Sequence, residues 1–123
     1  MKLFVNLEGG LSRMVLAEAL SLCKRAGLNQ GLLLKILLNS RHRSKAMETK
    51  GTKMVEKNFL PADGKLAFHL KDVRLILDLG RKLNFPLPLS SLHAQALTSE
   101  VAKGRGEWDN TDIITFYEDL GNL

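Results

Sequence analysis

With 123 residues, 45% of them apolar, and a formal net charge of +5, the chain can bury one sizeable core and is too apolar to be a disordered tail. Its single cysteine, Cys23, excludes an internal disulfide framework and fits a reducing compartment. No apolar run is long enough to span a bilayer, and Asn6, Glu8 and Arg13 interrupt any signal-peptide pattern, so a cytoplasmic location with no membrane partner is expected.

Leucine dominates the apolar set while Val, Ile and aromatics are sparse, which favours helices over strands. The stretch from Met1 to Gly27 reads as one long helix around which the rest of the chain packs. Apolar residues at Leu3, Phe4, Leu7, Leu11, Met14, Val15, Leu22 and Cys23 have helical spacing, and Lys2, Asn6, Glu8, Ser12, Arg13, Ser21 and Arg25 take the other face. Cys23, on the apolar stripe, reads as a small core residue. Gly27 stops the helix, with Lys24 and Arg25 in the last turn, where cations favour the helix dipole. The start has no capping Ser, Thr, Asp or Asn, and Lys2 sits where a cation is disfavoured. The helix begins as if cut, which suggests an excised domain or a truncated gene product.

Asn29 can cap a second helix, Gln30 to Asn39, with Leu32, Leu33, Ile36 and Leu37 inward. After a polar break, Ser44 can cap a third helix that begins at Lys45 and pauses at Gly51 before Met54 and Val55. Asn58 to Gly64 is a loop, broken by Pro61 and Gly64. The fourth helix, from about Lys65 to Leu83, carries Leu66, Leu70, Val73, Ile76, Leu77, Leu79 and Leu83. These cover more than half its circumference, so it should be buried and central, with a narrow polar stripe at Lys71, Arg74, Asp78 and Lys82. A fifth helix follows the Asn84 to Pro88 turn, from Leu89 or Ser90 to about Lys103, with Leu92, Ala96, Leu97 and Val101 on one side. Thr111 or Asn110 caps the last helix, Asp112 to Leu120, with Ile113, Phe116, Tyr117 and Leu120 inward. No segment shows strand periodicity. The expectation is an all-α domain of five to six helices over residues 1–123, with a long first helix and a buried fourth.

Much of the positive charge lies between Lys35 and Lys57, where Arg41, His42, Arg43, Lys45, Lys50 and Lys53 crowd together. That pattern fits a solvated face or an anion site. No aromatic residue between Arg41 and Asn58 offers a stacking platform, which argues against nucleic acid. The sequence has no GxGxxG, no GxxxxGK[ST], no zinc-ligand spacing and no nucleophile elbow. His42, His69 and His93 are scattered over different segments, which argues against a metal site.

Lys2 and Asn6 are four residues apart and share a helix face. A lysine amine held in a closed cleft can lose and regain a proton, and an asparagine amide can orient a polar ligand. On spacing alone the pair reads first as a solvated helix face.

The wider pattern resembles the C-terminal helical domain of the β-hydroxyacid dehydrogenases, the family of 3-hydroxyisobutyrate dehydrogenase, tartronate semialdehyde reductase and the glyoxylate/succinic semialdehyde reductases. The resemblance runs from Lys2 to about Ile114. Lys2-Leu3-Phe4-Val5-Asn6 matches the second half of the family's GxGxxxKxxxN motif, whose glycine half would lie before Met1. Leu16 to Leu20, Arg25 to Leu28, Asn39-Ser40 and the Met54 to Phe59 segment continue it in order. Phe68 to Leu75 resembles the family's F-x-L-x-x-K-D-L-x-L-A helix, Pro86 to Leu89 its P-x-P-L turn, and Gly104 to Asp109 its G-x-G-x-x-D element. The sequence departs from the family at Val5, where a second Asn often stands, and after Ser44, where Lys45 replaces an aromatic.

The resemblance implies a fold like the C-terminal domain of 6-phosphogluconate dehydrogenase. It implies Lys2 as the catalytic general acid/base, Asn6 as the substrate-binding residue beside it, and Lys71 as a cofactor-binding lysine. It implies NAD or NADP as cofactor of the complete enzyme, a small hydroxyacid or semialdehyde as substrate, and pairing into a homodimer. The family's nucleotide-binding Rossmann domain is absent from these residues. The isolated chain is therefore expected to bind no cofactor tightly and not to turn over. The competing reading is a non-catalytic helical interaction or assembly protein derived from such a domain.

Overall fold

In the computed structural model, which describes all 123 residues, α1 runs unbroken from Lys2 to Arg25 and touches every other α-helix. Those helices are α2 (Gln30–Leu38), α3 (Lys45–Glu56), α4 (Leu66–Lys82), α5 (Pro88–Ala102) and α6 (Ile113–Leu120), the last entered through a 3₁₀ turn over Asn110–Asp112. The architecture is all-α with six α-helices, and the only strand-like pairing is one isolated bridge between Lys65 and Asp109. No helix is long and apolar enough to cross a membrane.

The helix boundaries follow local chemistry. Asn29 and Ser44 accept from the backbone N–H groups of Leu32 and Met47, capping α2 and α3 as their positions predict. Gly27 takes φ +76 just past α1, a left-handed conformation that costs glycine nothing. Met1 gives α1 no side-chain cap, and the first turn has no acidic residue. Pro88 opens α5 at its first position, earlier than expected, because a proline lacks the N–H that would be orphaned there. The last helix is capped neither by Thr111 nor by Asn110: Asp112 stands at its N-cap without a side-chain cap bond, and Asp109 caps the 3₁₀ turn that leads into it, accepting from Thr111 N.

The faces differ from expectation in an instructive way. On α1, Phe4, Val15 and Leu22 are 57%, 68% and 70% exposed, while Gly10, Met14, Leu16, Ala17, Leu20, Ser21 and Cys23 are buried. Small residues face the core because other helices cross there at close range. On α2, Leu34 is the buried residue, whereas Leu32 and Ile36 are exposed. Gly51 does not interrupt α3; it is buried, and a Cβ there would fall 2.5 Å from Leu34 Cδ1. α4 contributes Leu66, Leu70, Val73 and Ile76 to the interior but leaves Leu83 exposed, and α5 and α6 leave Leu92 and Leu120 exposed.

Gly10 has the same meaning as Gly51 but harder neighbours. A Cβ at Gly10 would lie 2.5 Å from His69 Nε2 and 2.9 Å from His93 Cε1. Both rings are buried and flat, with little room to turn aside. Gly10→Ala is expected to destabilise the fold by about 1–3 kcal/mol despite alanine's better helix propensity, measured as a lower denaturant midpoint.

Candidate functional site

α1 and α4 lie side by side and, with residues 62–65 and Asn110, enclose an open polar cleft of about 550 Å³. Asn6, Gly9 and Arg13, successive positions on one face of α1, line it from one side. Phe68, His69 and Asp72 line it from α4. Asn6 Nδ2 donates to Asp72 Oδ2 at 3.3 Å. A carboxylate accepts, so the nitrogen of the amide belongs on that side and Oδ1 remains free to take a proton donor in the cleft.

Lys2 lies one turn before Asn6 on the same side of α1, and its side chain is exposed with no hydrogen bond or ion pair. Lys71, next to Asp72 on α4, is likewise exposed and unpaired. The structure therefore joins Asn6 to α4 through Asp72, whereas Lys2 and Lys71 stand outside the lining of the cleft.

Four residues in or behind the cleft carried no signal of their own in the sequence. Asp72 is the partner of Asn6. His69 and His93, from α4 and α5, pack with ring centroids 5.1 Å apart, although twenty-odd residues separate them in the chain. Arg13 Nη2 sits 3.1 Å from His69 Nε2 and 3.4 Å from Nδ1. Three or more metal-ligating side chains come together nowhere in the structure.

Burial first, and the Arg13 charge second, hold His69 down to about 3 and His93 to about 4. Both rings are thus neutral near pH 7. The unfolded chain takes up protons on these histidines near pH 6.5, so their contribution to stability is complete above that pH and is lost as pH falls towards 4 and 3. Ring chemical shifts of His69 and His93 should stay constant from pH 8 to about 5.

The basic run from Arg41 to Lys57 is largely satisfied within the chain. Arg43 pairs with Glu48 at 2.6 Å, Lys50 with buried Asp109 at 3.3 Å, Lys53 with Asp63 at 2.8 Å and Lys57 with buried Glu118 at 2.5 Å. These cations hold the structure together and are spent on internal carboxylates.

Residues 1–117 match the family model described as "NAD-binding of NADP-dependent 3-hydroxyisobutyrate dehydrogenase". The chain is 31% identical over 119 residues to 2-(hydroxymethyl)glutarate dehydrogenase of Eubacterium barkeri, covering 97% of this chain and 40% of that protein. It is 33% identical over 112 residues to the cytokine-like nuclear factor N-PAC of Homo sapiens, covering 91% of this chain and 19% of that protein. The fold superposes with a TM-score of 0.87 on the crystal structure of 3-hydroxyisobutyrate dehydrogenase from Salmonella typhimurium, at 26% identity, over 93% of this chain and 40% of that one. The chain thus spans about 40% or less of the length of these relatives.

Proposed function

Because the chain belongs to the 3-hydroxyisobutyrate dehydrogenase family, as its NAD-binding helical domain, we propose that it forms one wall of the active site of an NAD(P)-dependent 3-hydroxyacid dehydrogenase. The observation that supports this most is the Asn6–Asp72 contact in a polar cleft beside an unpaired Lys2.

The roles follow from the chemistry of each group. Oxidation of a secondary or primary alcohol removes a hydride and a proton; nicotinamide, when bound, takes the hydride. Lys2 takes the hydroxyl proton as general base and returns it as general acid in the reverse direction. Asn6 orients the substrate with its amide oxygen, and Asp72 acts as a positioning residue by holding the amide nitrogen. Lys71 offers a point charge to an anionic cofactor from the rim of α4. Its exposed, carboxylate-free ammonium fits a phosphate, and the chain has no glycine-rich phosphate turn, so its residues fit one side of a dinucleotide site. On this reading the chain supplies one side of the site, and no turnover is expected from that side in isolation.

We further propose that two copies pair. An apolar groove of about 270 Å³ between the start of α1 and the end of α4, lined by Leu3, Phe4, Leu7, Ile76, Leu79 and Leu83, supports association, and sedimentation checks it. A second reading, an interaction module without chemistry, is favoured by the likeness to a relative named as a nuclear factor. Joining a nucleotide-binding domain upstream of Met1 separates the two. The dehydrogenase reading expects NAD(P)H absorbance to change with small 3-hydroxyacids, and the module reading expects none.

A further inference from the structure

Arg13 is the one cation lining the cleft that has no carboxylate partner. Lys65, also in the lining, is held by Glu107 at 2.7 Å and lies over the Phe68 ring. Arg13 is half-buried, and its only side-chain hydrogen-bond partner is the neutral His69 ring. Burial lowers its pKa, partly offset by the charge of Asp109, yet a guanidinium remains a cation. A desolvated cation facing an uncharged ring has part of its hydrogen-bonding capacity unused, since a guanidinium has five donors in a fixed fork.

The direction of the side chain matters more than its position. Arg13 Nη1 lies 3.9 Å from where a Cβ of Gly9 would be, so the guanidinium folds back along α1 over a residue with no side chain. Its charge therefore sits at the level of Gly9, about 4.5 Å along the axis from Asn6. Asn110, in the same lining, has a buried amide oxygen with no hydrogen-bond donor. Two carboxylates share the cleft, but Asp63 is held by Lys53 and Asp72 takes the Asn6 amide. The cleft thus has its carboxylates engaged and a fork of unused donors at Arg13.

We infer that Arg13 anchors a second anionic group on the substrate, so that the site takes a small hydroxy acid with an additional carboxylate a few carbons from the hydroxyl held at Lys2 and Asn6. This rests on reading the cleft as the substrate site. A terminal carboxylate meets the guanidinium fork bidentately.

The test begins with the chain itself, titrated with glutarate and, separately, with uncharged glutaramide, followed by ¹H–¹⁵N NMR. Saturable shifts of the Arg13 Nε–Hε and Asn110 side-chain signals with glutarate, and none with glutaramide, are expected. No saturable shift at Arg13, or equal shifts with both probes, overturns the inference. Arg13→Gln should abolish the glutarate response, and Arg13→Lys should weaken it about ten-fold, keeping the charge but not the fork. In an enzyme that joins the chain to an upstream nucleotide-binding domain, Arg13→Gln should lower kcat/KM at least about ten-fold more for a hydroxy dicarboxylate than for a monocarboxylate. Equal losses on both overturn it. Failure of the dehydrogenase reading would appear instead as no turnover with any substrate, and the NMR titration would still decide the anion site.

Discussion

Lys2→Ala, made in the enzyme restored with an upstream nucleotide-binding domain, is expected to lower kcat about 10²–10⁴-fold while leaving the helical domain folded. The fold should not notice the change. Lys2 is exposed, makes no hydrogen bond or ion pair, and occupies a first turn where a cation is disfavoured by the helix dipole. Removing it should be neutral or slightly stabilising. A large loss of rate with no loss of stability would mark a residue kept for chemistry. Lys2→Arg should be nearly as damaging as Lys2→Ala, because a guanidinium does not release its proton at working pH. Steady-state kinetics of the three proteins, alongside their denaturant midpoints, make the comparison.

The second large effect is structural. Asp109→Ala should destabilise the fold by about 3–5 kcal/mol, read from denaturant unfolding. This side chain is fully buried, and its two oxygens accept from five donors. Oδ1 takes the backbone N–H groups of Asp63 and Gly64 at 2.9 and 3.2 Å and Lys50 Nζ at 3.3 Å; Oδ2 takes Thr111 N at 3.1 Å and Thr111 Oγ1 at 2.6 Å. It thus ties the loop before α4, the helix α3 and the turn into α6 to one point. Truncation orphans all five donors, one of them a largely buried ammonium.

The same group sets a pH dependence. Burial alone would raise its pKa, but the Thr111 and Gly64 hydrogen bonds and the Lys50 charge outweigh burial and hold it at about 2. A carboxyl with a depressed folded pKa stabilises the fold above its unfolded value near 4, and that stability is lost as pH falls through about 2. The contribution is about 2–3 kcal/mol. Asp109→Asn should be less stable at neutral pH and should lack this component of the acid loss.

The order and type of the helices were legible because periodicity and capping are local. Asn29, Ser44 and Gly27 act where their chemistry places them. The buried faces were less legible. Large apolar residues such as Phe4 and Val15 dominate a hydrophobic pattern, but close helix crossings select Gly10, Ala17 and Gly51, which contribute little to it. α2 is apolar nearly all round, so nothing in its sequence singles out Leu34 as the inward residue.

Of the residues proposed for the site, Lys2, Asn6 and Lys71 come from family likeness and the shared face of Lys2 and Asn6 from spacing, and Asn6 alone of the three lines the cleft. Asp72, Arg13 and the His69–His93 pair depend on how α1, α4 and α5 pack. No local pattern encodes a contact between residues more than fifty positions apart, such as Arg13 with His69 or Asn6 with Asp72. Asp109 is an intermediate case. It ends a glycine-bearing element that the sequence marks, yet its role as cap and tie emerges only when the residue 59–66 loop folds onto it.

The most direct measurement of what Lys2 does is chemical rescue. The restored enzyme carrying Lys2→Ala would be assayed with small primary amines of different pKa added to solution. If the Lys2 ammonium moves the substrate proton, turnover should rise with amine concentration and follow the basicity of the amine. A Lys2→Ala enzyme that keeps wild-type turnover with no amine present, or one that binds cofactor and substrate normally yet responds to no amine, would contradict that role.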